Sequence, residues 1–305
     1  MGFRFNCKSC SQNIYVRELK TGAVVRCRKC NAYNEIPHIA VEEPNIPDEE
    51  YAPFYQENPL GPRDFERLLT EIKDIYLNKF GQLIGIYSII NIPVTLLMIF
   101  WFIPVIYGAV YENDISVMAL IIGMTFMFVI NLAAQPLMFG ALFYLVCSHF
   151  LRKEVKVSSC FSAAAKRWPE MIASTILFTG AMISLSISII GIPAAVFLLV
   201  AWSVYIAVIM VEDPGVIEAF RRSFYLTKDH WLRILGIMVL VFFVSWFLSM
   251  MLSMFPVIGA IVASLVFGPI FSVLLSVLYF DLKVRKENYT PEQLDADLKK
   301  IYMGT

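Results

Sequence analysis

Residues 234–282 read ILGIMVLVFFVSWFLSMMLSMFPVIGAIVASLVFGPIFSVLLSVLYFDL, and Asp281 is the single charge among them. The run divides at Pro256-Val257-Ile258-Gly259 into two apolar pieces, about 232–254 and 258–282. Each is near the roughly 20 residues a helix needs to cross a bilayer. Two such pieces joined by a tight turn read as a transmembrane hairpin.

Working outward, four more candidates appear at about 82–108, 116–148, 171–190 and 193–211. Lys and Arg are absent from 80–151, 168–220 and 234–282, stretches too long and too apolar for soluble loops. The second candidate is long and carries Asn131, Gln135 and Pro136. Splitting it would give seven spans and put the later basic loops on opposite sides. One long kinked helix is expected instead, since proline is tolerated in lipid. Across 305 residues the hydrophobic share is 58% and the mean hydropathy +0.66, more apolar material than a soluble domain of this size uses. The fold expected is an all-α polytopic bundle of six spans.

Charge sets the orientation. Lys plus Arg equals Asp plus Glu at 25 each, so net charge identifies no partner, but position does. Every basic residue lies in 4–79, 152–167, 221–233 or 283–300, and six spans bring all four segments to one side. The opposite side keeps Glu112, Asp114 and the short turns at Gly191-Ile192-Pro193 and Pro256–Gly259. By the positive-inside tendency both termini are expected in the cytoplasm, and the membrane expected is the inner (cytoplasmic) one. Met1–Lys29 is polar and basic without an apolar run, so insertion is expected to follow from the internal segments.

An architectural repeat precedes each hairpin. Asp64–Lys79, Val157–Arg167 and Val216–Lys228 are amphipathic and end in basic residues beside an aromatic at the membrane entry: Phe80, Trp168 and Trp231. In the first, Phe65, Leu68, Leu69, Ile72 and Ile75 recur at helical spacing. Helices of this kind lie in the interface with the charges among headgroups. The unit is one interfacial helix plus two spans, three times over, across 63–290.

The N-terminal 36 residues follow other rules. Cys7/Cys10 and Cys27/Cys30 form two CxxC knuckles separated by 16 residues. Each tight turn aims two sulfurs at one ion, and two turns complete a tetrahedral S4 site for a structural Zn2+. A redox dithiol would need one knuckle, and here two stand at ribbon spacing. Ile14-Tyr15-Val16 and Val24-Val25 read as strands, with Thr21-Gly22 as a hairpin turn between them. So short a chain buries little surface, and the metal supplies most of its folding energy. Arg4, Lys8, Arg26, Arg28 and Lys29 are read first as compensation for the anionic S4 site. Residues 37–62 hold Pro37, Pro44, Pro47, Pro53, Pro59 and Pro62 among acidic residues, a tether to the membrane domain. Residues 291–305 form a C-terminal tail helix. Cys147 and Cys160 are read as small buried or interfacial residues in a reducing compartment.

Two segments carry a family resemblance. Glu218-Ala219-Phe220-Arg221-Arg222-Ser223-Phe224-Tyr225-Leu226-Thr227-Lys228, with Trp231 beyond, resembles a recurrent stretch of the six-helix membrane domain named after glycerophosphoryl diester phosphodiesterases. Tyr279-Phe280-Asp281-Leu282-Lys283-Val284-Arg285-Lys286-Glu287 is similar to that family's exit from its last span. The resemblance covers about 64–290 and implies the six-helix fold. It transfers no active site, because His38, His149 and His230 stand in no cluster with carboxylates of the kind metal-assisted phosphodiester hydrolysis uses.

Polar residues near the spans are read structurally. Glu212, Asp213 and Asp281 fall at helix ends, where solvation is preferred over a pairing of Asp281 with Arg221 or Arg222. Asn91, Asn131 and Gln135 are read as interhelical hydrogen bonds, and Ser184, Ser186 and Ser188 with Gly180 and Ala181 as a close-packing surface. No catalytic constellation is found. The function expected is therefore a non-enzymatic scaffold, sensor or recruitment module; the alternatives are a carrier or flippase for lipid or apolar solutes and, remotely, a lipid phosphodiesterase. Expected partners are membrane lipids and a cytoplasmic protein, with self-assembly left open and nucleic acid not expected.

Overall fold

The computed structural model describes residues 2–17, 24–30, 32–37, 41–43, 47, 50, 60–108, 117–252, 254 and 258–302. Thr21-Gly22, His38, Glu112, Asp114, Pro256-Val257, most of the tether and the last three residues of the tail lie outside them.

The chain begins with a small β ribbon. Strands β1 (Gly2–Asn6), β2 (Asn13–Val16), β3 (Val24–Arg26), β4 (Tyr33–Glu35) and β5 (Val41–Glu43) form two antiparallel sheets, in the orders β2-β1-β5 and β3-β4. Both expected strands are present, but they do not pair with each other. Phe5 stands opposite Ile14 and Asn6 opposite Asn13, while Val25 stands opposite Asn34. Each knuckle is itself the hairpin turn, closed by Cys7 N–H to Gln12 O at 2.8 Å and Cys27 N–H to Ala32 O at 2.9 Å. The reason is local: a chain that already reverses at CxxC finds its nearest partner in the strand just past it. The sheet also runs beyond residue 36, because Arg4 pairs with Val41 and Phe3 with Glu42. Ile14, Val16, Val25 and Ile36 close over a core of the ribbon's own.

Eleven helices follow among the described residues: α1 (Phe65–Asn78), α2 (Phe80–Tyr107), α3 (Val117–Phe150), α4 (Val157–Lys166), α5 (Trp168–Ser186), α6 (Gly191–Ala201), α7 (Tyr205–Glu212), α8 (Val216–Thr227), α9 (Trp231–Leu252), α10 (Ile258–Glu287) and α11 (Pro291–Tyr302). Among the described residues, six segments are long and apolar enough to cross a membrane: Phe80–Val105, Leu120–Phe150, Trp168–Ser186, Gly191–Glu212, Trp231–Leu252 and Ile261–Glu287. The second is one helix with Pro136 inside it, as the charge argument requires. The chain is thus a polytopic all-α bundle with a β ribbon at its head. In chain order, α1, α4 and α8 each precede two of these apolar segments.

The fourth span is not one helix. It breaks between α6 and α7 at Trp202-Ser203-Val204. The Ala201 carbonyl, left without its usual helical donor, accepts from Ser223 Oγ at 2.9 Å and Thr227 Oγ1 at 3.2 Å. Two hydroxyls of α8 satisfy the backbone that the break exposes, the condition under which a broken helix survives in an apolar medium.

Burial is divided along the bundle. Large apolar side chains of α2, the first half of α3, α5, α6 and α9 are exposed, among them Phe100, Phe126, Ile183 and Phe247, as lipid-facing surfaces are. Phe143, Val208, Tyr279 and Phe280 are buried in a core where one end of the bundle is wrapped by short helices. Spans four and six are the central ones, 61% and 50% buried. The apolar stripes of the short helices turn onto this core: Leu68, Ile72 and Ile75 of α1, Cys160 and Ala164 of α4, Ala219 and Leu226 of α8, Leu294 and Leu298 of α11. The expected interfacial helices therefore cover protein with their apolar faces. The long ends of α3 and α10 offer an apolar surface closer than lipid.

Three expectations about polar residues need correction. Asn91 does reach across, its Nδ2 meeting Met138 Sδ of α3 at 2.9 Å. Asn131 instead donates to Met127 O of its own helix, and Gln135 to Asn131 Oδ1. An amide one turn above a carbonyl satisfies itself without a neighbour. Ser184 likewise bonds Ala181 O, and a Cβ on Gly180 would meet open space, so no close packing occurs there. Close approach falls at Gly268, where a Cβ would stand 2.1 Å from the Tyr87 ring.

Candidate metal centre and the charged end of the bundle

The two knuckles converge. Cys7 Sγ lies 3.5 Å from Cys30 Sγ, Cys10 Sγ lies 3.7 Å from Cys27 Sγ, and all four sulfurs fall within 4.8 Å of one another. A tetrahedral ion with bonds of about 2.3 Å spaces its sulfurs roughly 3.8 Å apart, so the set fits one metal ion. An iron–sulfur cluster, whose cysteines bind different irons, needs them wider.

Asn34 completes the site. Buried at 1% exposure, its Nδ2 donates to Cys7 Sγ at 3.3 Å and to Ala32 O at 2.9 Å, while its Oδ1 accepts from Lys8 N–H at 2.8 Å. One amide so ties the first knuckle to the second. Sequence reading missed it, because nothing about an asparagine between two aromatic or acidic neighbours marks it as a ligand-orienting group.

The thiols differ before any metal binds. Burial pushes the Cys7 thiol up, but the Ser9 and Cys10 N–H groups, Asn34 and Cys30 outweigh it and bring Cys7 down to about 6. The Cys30 thiol accepts from the Ala32 backbone, which lowers it, yet burial and the other three cysteines push it up to about 12. The fold therefore favours thiolate at Cys7, an advantage present above the ordinary thiol range and lost as pH falls through about 6. At Cys30 the metal must displace a proton. Metal binding near neutrality is expected to release protons, and apparent affinity to fall at least about tenfold between pH 7 and pH 5. Competition against a chromophoric chelator measures this; a flat profile would exclude thiolate ligation.

The second construction is the charged end of the bundle. Asp281, read as solvated, is fully buried. Its partners are not Arg221 or Arg222 but Arg233 at 2.9 Å, Arg285 at 3.0 Å and the Arg63 backbone N–H at 2.6 Å. The Arg63 carbonyl in turn accepts from Arg233 Nη2 at 2.6 Å and from Arg285. The Arg63 guanidinium, also buried, donates to Leu60 O at 2.7 Å and lies over the Phe150 ring. Gly61 sits beside Asp281 at φ +121°, a conformation that calls for glycine. The end of the tether is thereby fastened into the bundle.

Glu212, likewise expected at a solvated end, is mostly enclosed: Arg222 binds it at 2.7 Å, Lys283 at 2.9 Å and the Tyr279 hydroxyl at 3.0 Å. Asp213 remains on the surface and pairs with Arg167. Desolvated carboxylates survive when each is matched by cations and donors. The two segments that carry the family resemblance meet here. Arg222 pairs with Glu287, and Lys286 pairs with Asp229 at 2.8 Å while its ammonium lies 4.4 Å from the Tyr225 ring centroid. Their residues act as an ionic lock between α8 and the end of α10. Basic residues from all three later segments, 152–167, 221–233 and 283–300, join Arg63 in this region.

His149 packs on Phe150, and Cys147 and Cys160 are buried free thiols. Compared with protein-family models, curated proteins and solved structures, the chain matches none.

Proposed function

We propose that this chain is a non-enzymatic membrane module that displays a zinc ribbon and a basic helical face to the cytoplasm, where it recruits or senses a partner. One observation carries the reading. The cation-bearing segments gather at one end of the bundle, and the tether from the ribbon is fastened at that same end through Arg63 and Asp281. The positive-inside tendency supports a cytoplasmic position for that end, in an inner (cytoplasmic) membrane. Zinc is supported by four sulfurs at single-ion spacing with no open position, a structural site. The six-helix resemblance fits the same reading, since most of the charged residues that carry it are taken up in ion pairs.

Metal analysis of the purified chain should find one zinc per chain. For recruitment, the full chain and a form lacking residues 1–43 are compared in pull-downs from solubilised membranes. Loss of a specific partner on ribbon removal is expected; retention of every partner would exclude the reading.

A second reading, a carrier of lipid or apolar solute, draws on a cleft of about 220 Å³ between α2 and α10. Apolar Ile92, Leu96, Ile99 and Leu265 line it beside Asn91, Thr95 and Ser264. Liposomes carrying the purified protein that move no labelled lipid would remove it. A phosphodiesterase rests on the family name alone, and fold likeness is no warrant for chemistry.

A further inference from the structure

At the charged end an open cleft of about 690 Å³ lies between the end of α3, α4 and α11. Its floor is Tyr144 and Ser148, and its walls carry Lys153, Lys166 and Lys299 with the hydroxyls of Ser158, Ser159 and Ser162. We propose that this cleft binds a phosphate ester, with Lys166 as the principal charge and the α4 serines as neutral donors.

The charge balance argues for an anion. Three ammonium groups face the cleft against two carboxylates, Glu154 and Asp295. Asp295 is shared between Lys153 and Lys299, the latter at 2.8 Å. Among the described residues Lys166 pairs with no carboxylate; its Nζ donates to the Tyr302 carbonyl at 2.5 Å, a neutral acceptor. Among the described residues, the Ser158, Ser159 and Ser162 hydroxyls bond to no other group of the chain and stand exposed. A tetrahedral phosphate has several acceptor oxygens and suits a site of mixed ammonium and hydroxyl donors. Arg167 and Trp168 follow Lys166 at once and begin the third span, so the cleft opens where that span enters the membrane. The phosphate belongs either to a phospholipid headgroup or to a free phosphate ester.

This inference rests on the reading of the charged end as the partner-binding face, yet it fails separately: ribbon removal tests that reading, whereas cleft variants test this one. The full chain in neutral detergent is titrated with short-chain phosphatidic acid and, in a separate arm, with glycerol 3-phosphate. Lys166→Gln should weaken binding about tenfold, the size of one charge-assisted contact. Because Lys166 also holds Tyr302, the pair Ser158→Ala with Ser162→Ala provides the variant without lost internal partners, and about a threefold to tenfold loss is expected. Lys73→Gln, an exposed lysine of α1, should change nothing. Binding of the lipid alone makes the ligand a headgroup, and binding of both makes it a soluble ester as well. No binding of either, no effect of the serine pair, or an equal loss in Lys73→Gln would overturn the proposal.

Discussion

Asp281→Asn is expected to lower the stability of the bundle by about 3 kcal/mol, the low end of the range for breaking a buried ion pair. The carboxylate is fully buried and collects Arg233, Arg285 and the Arg63 N–H. An amide in its place removes the negative charge and turns an NH2 group toward a neighbour that also donates. The low end applies because both guanidinium groups keep about a quarter of their exposure and reach water. The control is Arg221→Gln: that side chain is 74% exposed and pairs with Glu218 on its own helix, so its removal should cost no more than about 0.5 kcal/mol. Denaturant unfolding in detergent, followed by helical circular dichroism, reads both. Equal costs would mean that Asp281 is no hub.

The second large effect is at the metal. Cys27→Ser should abolish stoichiometric metal and unfold the ribbon, because structural zinc supplies on the order of 10 kcal/mol to domains of this kind. Asn34→Ala keeps all four ligands and removes the amide that orients Cys7, so a loss of about 10- to 100-fold in metal affinity is expected. Retention of the metal by Cys27→Ser at micromolar chelator would remove the S4 site. The membrane bundle should keep its own unfolding transition in both variants, since the ribbon has a separate core.

Much of this was legible. Two CxxC pairs at ribbon spacing led to four converging sulfurs, and the absence of basic residues over three long stretches led to six spans. Periodicity in 64–79 predicted α1 and its buried face. Strand pairing in the ribbon was not legible, because β-propensity says which residues are extended and not which neighbour they choose. Nor was the burial of Asp281. A carboxylate near a helix end reads as solvated, and the group that encloses it, Arg63, is 218 residues away in the chain. Asn131 and Gln135 misled for the opposite reason. A polar group in an apolar helix invites a distant partner, yet the nearest carbonyl one turn below costs less ordering.

The same accounting explains the two resemblance-bearing segments. Their cations and carboxylates looked like membrane-entry chemistry when read one by one. Placed together they lock α8 to α10 through Arg222, Glu287, Lys286 and Asp229, with Glu212 and Lys283 beneath. These charges hold this end of the bundle together.

The proposed topology puts every basic segment on one side of the membrane, and substituted-cysteine labelling in intact cells decides the matter. With a membrane-impermeant maleimide, Asn113→Cys should label from outside, and Asn288→Cys should label only after permeabilisation. Labelling of Asn288→Cys in intact cells, or of both positions from the same side, would contradict it.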